Sequence, residues 1–184
     1  SIGEGYEGSQ ELVDAYKNAS ADFHQTVADL VGIERTQAKT IGLGLMYGMG
    51  KNKLANSLGL TKDEAEILIS KYNRKVPFVK LLSEKCMLTA QDKGVIRTKR
   101  GRKCRFDQWE TKDFGLHLPE TFDNAVAKYG RDNIKRAKTY KSLNRLIQGS
   151  SADQTKQAMV DCYKAGHLPN LKIHDELCFN VKND

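Results

Sequence analysis

Apolar positions recur at helical spacing through most of the chain, and the places where that rhythm stops predict its elements. Thr61-Lys-Asp-Glu64 is a capping box, and Ala65, Leu68, Ile69 and Tyr72 follow it at i, i+3, i+4 and i+7, so an amphipathic helix is predicted there. Pro77 suits the first turn of the next helix, whose Phe78, Leu81, Leu82 and Cys86 share a face before Gly94 stops it. Towards the N-terminus, helices are predicted from Gln10 to Lys17, from Asp22 through Leu30, and from Glu34 to Tyr47, with Gly48 and Gly50 ending the last. Val95 to Phe106 reads as a short hairpin around Lys99-Arg100-Gly101. Helical stretches are predicted from Glu120 to Tyr129 and from Asp132 to Ile147, then Gln148 to Asp153 leads into a helix ending near Gly166. Leu171 to Ile173 and Leu177 to Val181 read as two strands joined at His174-Asp175-Glu176.

Composition narrows the classes. With 184 residues, 39% hydrophobic and 29% charged, the chain has the profile of a folded globular protein. Its net charge of +7 is uneven, because residues 1 to 34 hold seven acids and one base, a local −6 that leaves +13 for the remainder. Six of the nine residues from Arg97 to Arg105 are basic. Such a surplus favours a polyanionic partner, since cations that neutralise phosphates release condensed counterions. Cys86, Cys104, Cys162 and Cys178 form no C-x-x-C pair, and the four histidines lack H-x-x-x-H spacing, which argues against zinc and for reduced thiols. The absence of an apolar run near 18 residues, and of a signal peptide, predicts no membrane partner and a cytoplasmic location.

Two segments carry candidate chemistry. Arg35, Lys39, Leu43 and Tyr47 are four apart and share one helical stripe about 18 Å long, with the cations at the helix N-terminus, where the macrodipole also favours anions. This is either a nucleotide-binding face or a surface helix whose Leu43, Met46 and Tyr47 fill a core. Gly42 and Gly44 each cost about 1 kcal/mol against Ala inside a helix, so a ligand or a packed neighbour must approach there. His174-Asp175-Glu176 sets two carboxylates between apolar flanks, either a metal-holding turn or a solvent-exposed hairpin tip.

Taken with a third segment, these resemble family A DNA polymerases, the group containing bacterial DNA polymerase I and many phage replicases. Arg35, Lys39, Tyr47 and Gly48 match the family's R-x-x-x-K-x-x-x-(F/Y)-x-x-x-Y-G helix, Asp22-Phe-His-Gln-Thr26 resembles its D-I-H-x-x-T segment, and Asn144-Arg-Leu-Ile-Gln148-Gly-Ser-Ser-Ala-Asp153 resembles its N-x-x-x-Q-G-(S/T)-x-A-D helix. Gly94 to Lys103 is similar to its G-Y-V-x-T-x-x-G-R-R stretch. The resemblance implies that His24, Arg35 and Lys39 hold the phosphates of a dNTP and that Lys39 can protonate the leaving pyrophosphate. It also implies that Tyr47 and Gly48 lie beside the templating base, that Asn144 and Gln148 read the minor groove, and that His174 faces the primer end. Arg102 is implied near DNA. Asp175, supported by Glu176, is implied to hold Mg2+, two ions being needed in the complete enzyme. Two positions depart from the pattern: Leu43 stands where the family has an aromatic residue, which predicts altered nucleotide selection, and Tyr140, followed by Lys141, stands where it has an arginine.

The expected fold is α+β, mostly helical fingers with a small antiparallel palm sheet fragment: residues 1–19 connecting, 20–138 fingers and 139–184 partial palm. The partners implied are primer-template DNA, dNTP and the remainder of the polymerase, meaning upstream palm, thumb and possibly an exonuclease. A phage-type spacing between His24 and Arg35 suggests a viral replicase acting in host cytoplasm. A D-Y-S-x-I-E-type motif carrying the family's second aspartate has no counterpart in this sequence, so the chain alone is expected not to extend primers. The competing readings are a noncatalytic nucleic-acid-binding module and a regulatory protein that uses only the Arg35 to Tyr47 face.

Overall fold

The computed structural model describes residues 9–17, 22–113, 115–174 and 176–180. Among the described residues the helices α1 (Gln10–Lys17), α2 (Phe23–Val31), α3 (Arg35–Met46), α4 (Lys51–Leu58), α5 (Lys62–Lys75) and α6 (Pro77–Lys93) come first. Then follow β1 (Val95–Arg97), β2 (Lys103–Arg105), β3 (Trp109–Thr111), α7 (Phe122–Tyr129), β4 (Ile134–Arg136), α8 (Ser142–Lys164), β5 (Leu171–Ile173) and β6 (Glu176–Cys178). The architecture is α+β, as expected. Among the described residues its strands make three small antiparallel pairs, β1 with β2, β3 with β4 and β5 with β6.

The helix boundaries follow local chemistry. Thr61 Oγ1 accepts from Glu64 N at 3.3 Å while Glu64 Oε2 accepts from Thr61 N at 2.8 Å, closing the capping box that starts α5. Pro77 opens α6 and Gly94, at φ 63, ends it in the left-handed conformation. On α6 the buried stripe is Val79, Leu82, Cys86 and Ala90, whereas Leu81 is exposed, so the face differs from the predicted one by part of a turn.

Three expectations are corrected. The span from Asp132 to Ile147 is not one helix: Arg131–Asn133 is a 3-10 turn, Ile134–Arg136 is strand β4 and Thr139–Lys141 is a second 3-10 turn before α8 begins. Trp109 explains the strand, because its ring lies 4.9 Å from Phe122 and 4.6 Å from the Arg136 guanidinium, pinning Arg136 alongside β3. Gln148 to Asp153 is not a break either, since α8 runs unbroken for 23 residues. The last strand spans Glu176–Cys178 rather than Leu177 to Val181. Helix α4 is additional to the predicted elements.

Helix α6 ties the core together. Its Val79 joins Val27, Val31, Ala38, Ile41, Leu54 and Tyr72 in the cluster under α2 to α5. Leu82 and Cys86 meet Leu143 of α8, and Ala90 meets Ile96 of β1 and Phe106, the residue after β2. Burial pushes the Tyr72 phenol up to about 12, and its hydroxyl has no hydrogen-bond partner among the described residues. Tyr72→Phe removes that orphan group and should stabilise the chain by about 1 kcal/mol, raising Tm by roughly 2–4 °C in a thermal melt.

Candidate nucleotide and nucleic-acid interface

Helix α3 presents two faces of opposite character. Ala38, Ile41, Gly42 and Gly44 are buried, while Arg35 and Lys39 are exposed, Leu43 is half-buried and Tyr47 is 41% exposed. The glycines belong to the inner face. A Cβ on Gly42 would lie 3.2 Å from the Tyr72 hydroxyl, and one on Gly44 would lie 3.1 Å from Leu54 Cδ1. A packed neighbour, not a ligand, therefore accounts for both. Their lack of side chains lets α3 sit close on α4 and α5, which leaves the Arg35 to Tyr47 stripe outward.

The basic end of that stripe meets the start of α2. Asp22 caps α2, its Oδ1 accepting from His24 N at 2.9 Å and Gln25 N at 3.2 Å, and its Oδ2 accepts from Arg35 Nε at 2.8 Å. The Arg35 bond, then the capping bonds, hold the Asp22 carboxyl below its ordinary value. His24 is half-buried beside Phe23, and its Nδ1 has no hydrogen-bond partner among the described residues. Burial depresses the His24 pKa below 6.5; the Asp22 charge opposes this, and the positive charges of Arg35 and Lys39 add to it. His24, Arg35 and Lys39 are thus brought together, with the imidazole neutral at pH 7.

A pH dependence follows. Because the unfolded chain binds a proton at His24 more readily than the folded one, His24 contributes stability that is fully present above about pH 6.5 and is lost as pH falls towards its lower folded value. Melting curves between pH 7.5 and 5.5 should show Tm falling with acidification in the native chain, and falling less in His24→Gln.

At its other end α3 is gripped by α8 and the turn that precedes it. Gln148 Nε2 donates to the Tyr47 hydroxyl at 3.0 Å. The next residue, Gly48, is left-handed at φ +71, and a Cβ there would meet Tyr140 Cδ2 at 2.9 Å and the Tyr140 carbonyl oxygen at 3.2 Å. Asn144 lies half-buried one turn before Gln148. The departure at Tyr140 thus has a use: its ring packs on the turn that carries Tyr47.

Arg102 faces α8. Its Nε donates to Asp153 Oδ1 at 2.7 Å and its Nη2 to the Gly149 carbonyl at 2.8 Å. Lys99 N donates to Ser150 Oγ at 3.1 Å and Arg100 Nη1 to Gln157 Oε1 at 2.6 Å, so the basic hairpin is fastened along the helix. Sequence reasoning missed Asp153, Thr98 and Gly149 as parts of this joint. The available signal was a glycine in the interior of a helix.

At the far end His174 is exposed with φ 51, and Glu176 is exposed at the start of β6. Asp175 lies outside the described residues. Ile173 pairs with Glu176, so the turn between them is tight. Among the described residues no hydrogen bond or ion pair joins His174 or Glu176 to the α3 face, and none of their His, Cys, Asp and Glu residues form a group of three able to hold a metal. No described helix is long and apolar enough to cross a membrane.

The profile of DNA polymerase family A matches residues 6–184. A DNA-directed DNA polymerase of Pseudomonas phage M6 is 34% identical over 93% of this chain and 28% of its own length. DNA polymerase I of Lactococcus lactis is 27% identical over 95% of the chain and 20% of its own length, and the DNA polymerase of Mycobacterium phage L5 is 29% identical over 92% and 24%. The chain therefore spans less than a third of each of these relatives. The POL domain of Pol1 from M. smegmatis, solved with DNA primer-template and dNTP, superposes with a TM-score of 0.68 at 24% identity over 94% of this chain and 30% of that one, a likeness of fold. On the family profile that takes in nearly its whole length, the chain belongs to DNA polymerase family A.

Proposed function

We propose that the chain is the fingers, with part of the palm, of a template-directed DNA polymerase that adds deoxynucleotides to a primer 3'-OH. Residues 20–138 form the fingers and 139–184 the palm portion, joined to the rest through residues 1–19. The observation that carries this reading is the α3 stripe: exposed Arg35 and Lys39 beside His24 at one end, and Tyr47 in contact with Gln148 at the other. The M. smegmatis relative, solved with primer-template and dNTP, supports the same ligands here.

In this reading Arg35 and Lys39 bind the triphosphate by charge and neutral His24 by hydrogen bonding. Leu43 lies against the sugar, where an aliphatic wall changes selection among sugar analogues. Tyr47 and Gly48 bound the templating base, and Asn144 and Gln148 meet base edges in the minor groove, where acceptors sit alike in every pair. His174 faces the primer end. The primer 3'-OH gives up its proton to solvent as its oxygen bonds to the α-phosphorus and the bond to pyrophosphate breaks, and Lys39 supplies a proton to the departing pyrophosphate. Mg2+ would be held by Asp175, with Glu176 supporting that site, and would supply stabilisation of the attacking and leaving oxygens. The described residues alone do not make a donor set for it.

The chain by itself is expected to bind primer-template without extending it. Primer extension and DNA-binding titrations test this with the isolated chain and with the complete polymerase, each native and as Asp175→Ala. Extension by the complete native enzyme, lost in Asp175→Ala at unchanged DNA affinity, is the expected result. Extension by the isolated chain would refute its inactivity. DNA binding with no extension in any combination would favour the noncatalytic module.

A further inference from the structure

The hairpin between β1 and β2 is the most basic segment of the chain, yet one of its cations, Arg102, is turned onto α8 with its side chain still partly exposed. Asp153 is 7% exposed in the middle of α8, and the Thr98 hydroxyl and the Arg102 guanidinium hold its carboxyl below the ordinary carboxylate value. The second prong of Arg102 takes the carbonyl of Gly149, the residue that follows Gln148. Gly149 leaves the space this needs, because a Cβ there would meet Thr98 Cγ2 at 2.9 Å and Arg102 Nη2 at 3.2 Å. Thr98 Oγ1 in turn accepts from Arg102 N at 3.1 Å, which holds the base of the arginine in place. A connected path therefore runs from Asp153 through Arg102 to the Gly149 peptide, and from Gln148 to the Tyr47 hydroxyl.

We propose that Arg102 is a positioning residue for Gln148: by gripping Asp153 and the Gly149 carbonyl together it fixes the rotation of α8 that presents the Gln148 amide to the base pair at the primer end. This rests on the reading of Gln148 given under Proposed function. A planar fork is required, since Nε and Nη2 reach two acceptors in different directions at once and an ammonium cannot reproduce that geometry. The inference departs from the simpler role of Arg102 as a phosphate contact, and the two roles have opposite signatures. A lost phosphate contact lowers the slope of log affinity against log salt by about 0.9 and weakens all duplexes alike. A lost positioning contact leaves that slope unchanged and alters the comparison between a paired and a mispaired primer end.

The experiment titrates the full chain with fluorescent primer-template duplexes, matched or mismatched at the primer end, across a salt series. It compares the native protein with Arg102→Lys, which keeps the charge, and Asp153→Asn, which keeps the shape. Both variants are expected to lower the matched-to-mismatched affinity ratio by about 2- to 10-fold, the worth of one hydrogen bond, with an unchanged salt slope. Asp153→Asn is the sharper arm, because removing an acid from a basic surface would on charge alone tighten every duplex. Equal tightening of both duplexes in that variant would overturn the inference, as would an Arg102→Lys protein with the native ratio. If Asp153→Asn fails to fold, the exposed Arg102→Lys position decides alone. A native chain that binds no duplex would sink the polymerase reading and this inference with it, whereas native binding with unaltered variants sinks only this one.

Discussion

Gly48→Ala is expected to destabilise the chain by about 2–5 kcal/mol, through two costs that act at one atom. The backbone at Gly48 is left-handed, at φ +71, a conformation that costs an L side chain about 1–2 kcal/mol. The added methyl would also arrive 2.9 Å from Tyr140 Cδ2 and 3.2 Å from its carbonyl oxygen, and overpacking of this kind costs about 1–3 kcal/mol. Denaturant unfolding of the native chain, Gly48→Ala, Tyr140→Ala and the double variant separates the parts. The double variant should recover the ring clash but retain the backbone cost, giving a favourable coupling between the two sites. Because Tyr47 precedes Gly48 and shares a hydrogen bond with Gln148, Gly48→Ala should also weaken primer-template binding. Native-like stability in Gly48→Ala would show that the seam does not have this geometry in solution.

Lys39→Ala is expected to weaken deoxynucleoside triphosphate binding by about 10- to 100-fold, the range for a hydrogen bond to a charged group. Lys39 is exposed and has no ion-pair partner among the described residues, so its full charge is available to phosphate. Arg35 differs, because its guanidinium is already held by Asp22 and must exchange one anion for another. Arg35→Ala should therefore cost less than Lys39→Ala. The same competition predicts a gain of function: Asp22→Asn keeps the cap on α2, releases Arg35 and removes a nearby anion, which should tighten triphosphate binding by about two- to five-fold, the worth of an exposed ion pair. Titration with a fluorescent triphosphate at constant ionic strength measures all three. An Asp22→Asn variant that binds more weakly would place Asp22 on the ligand's side.

Local chemistry was the most legible part of the sequence. The capping box at Thr61, Pro77 at a helix start and Gly94 at a helix end each act within one turn, and the elements they punctuate lie where pattern predicts. The stripe from Arg35 to Tyr47 was equally readable, because a spacing of four on a helix settles which side chains share a face. Contacts distant in sequence were not. Strand β4 depends on Trp109 and Phe122, and helical periodicity around Asp132 cannot report an aromatic ring more than twenty residues away. Gly42 and Gly44 announced a close approach without saying what approached, since Tyr72 and Leu54 reach them only through folding. Arg102 read as one basic residue among six, and its partner Asp153 lies 51 positions on.

The 23 residues of α8 form one unbroken helix, tied to the Gly48 seam through Tyr140 just before it and to the basic hairpin through Asp153. Evolution cannot adjust either fastening alone. Across an alignment of related chains, positions 48 and 140 should covary in side-chain size, and so should 98 and 149, while the exposed outer positions of the hairpin drift independently.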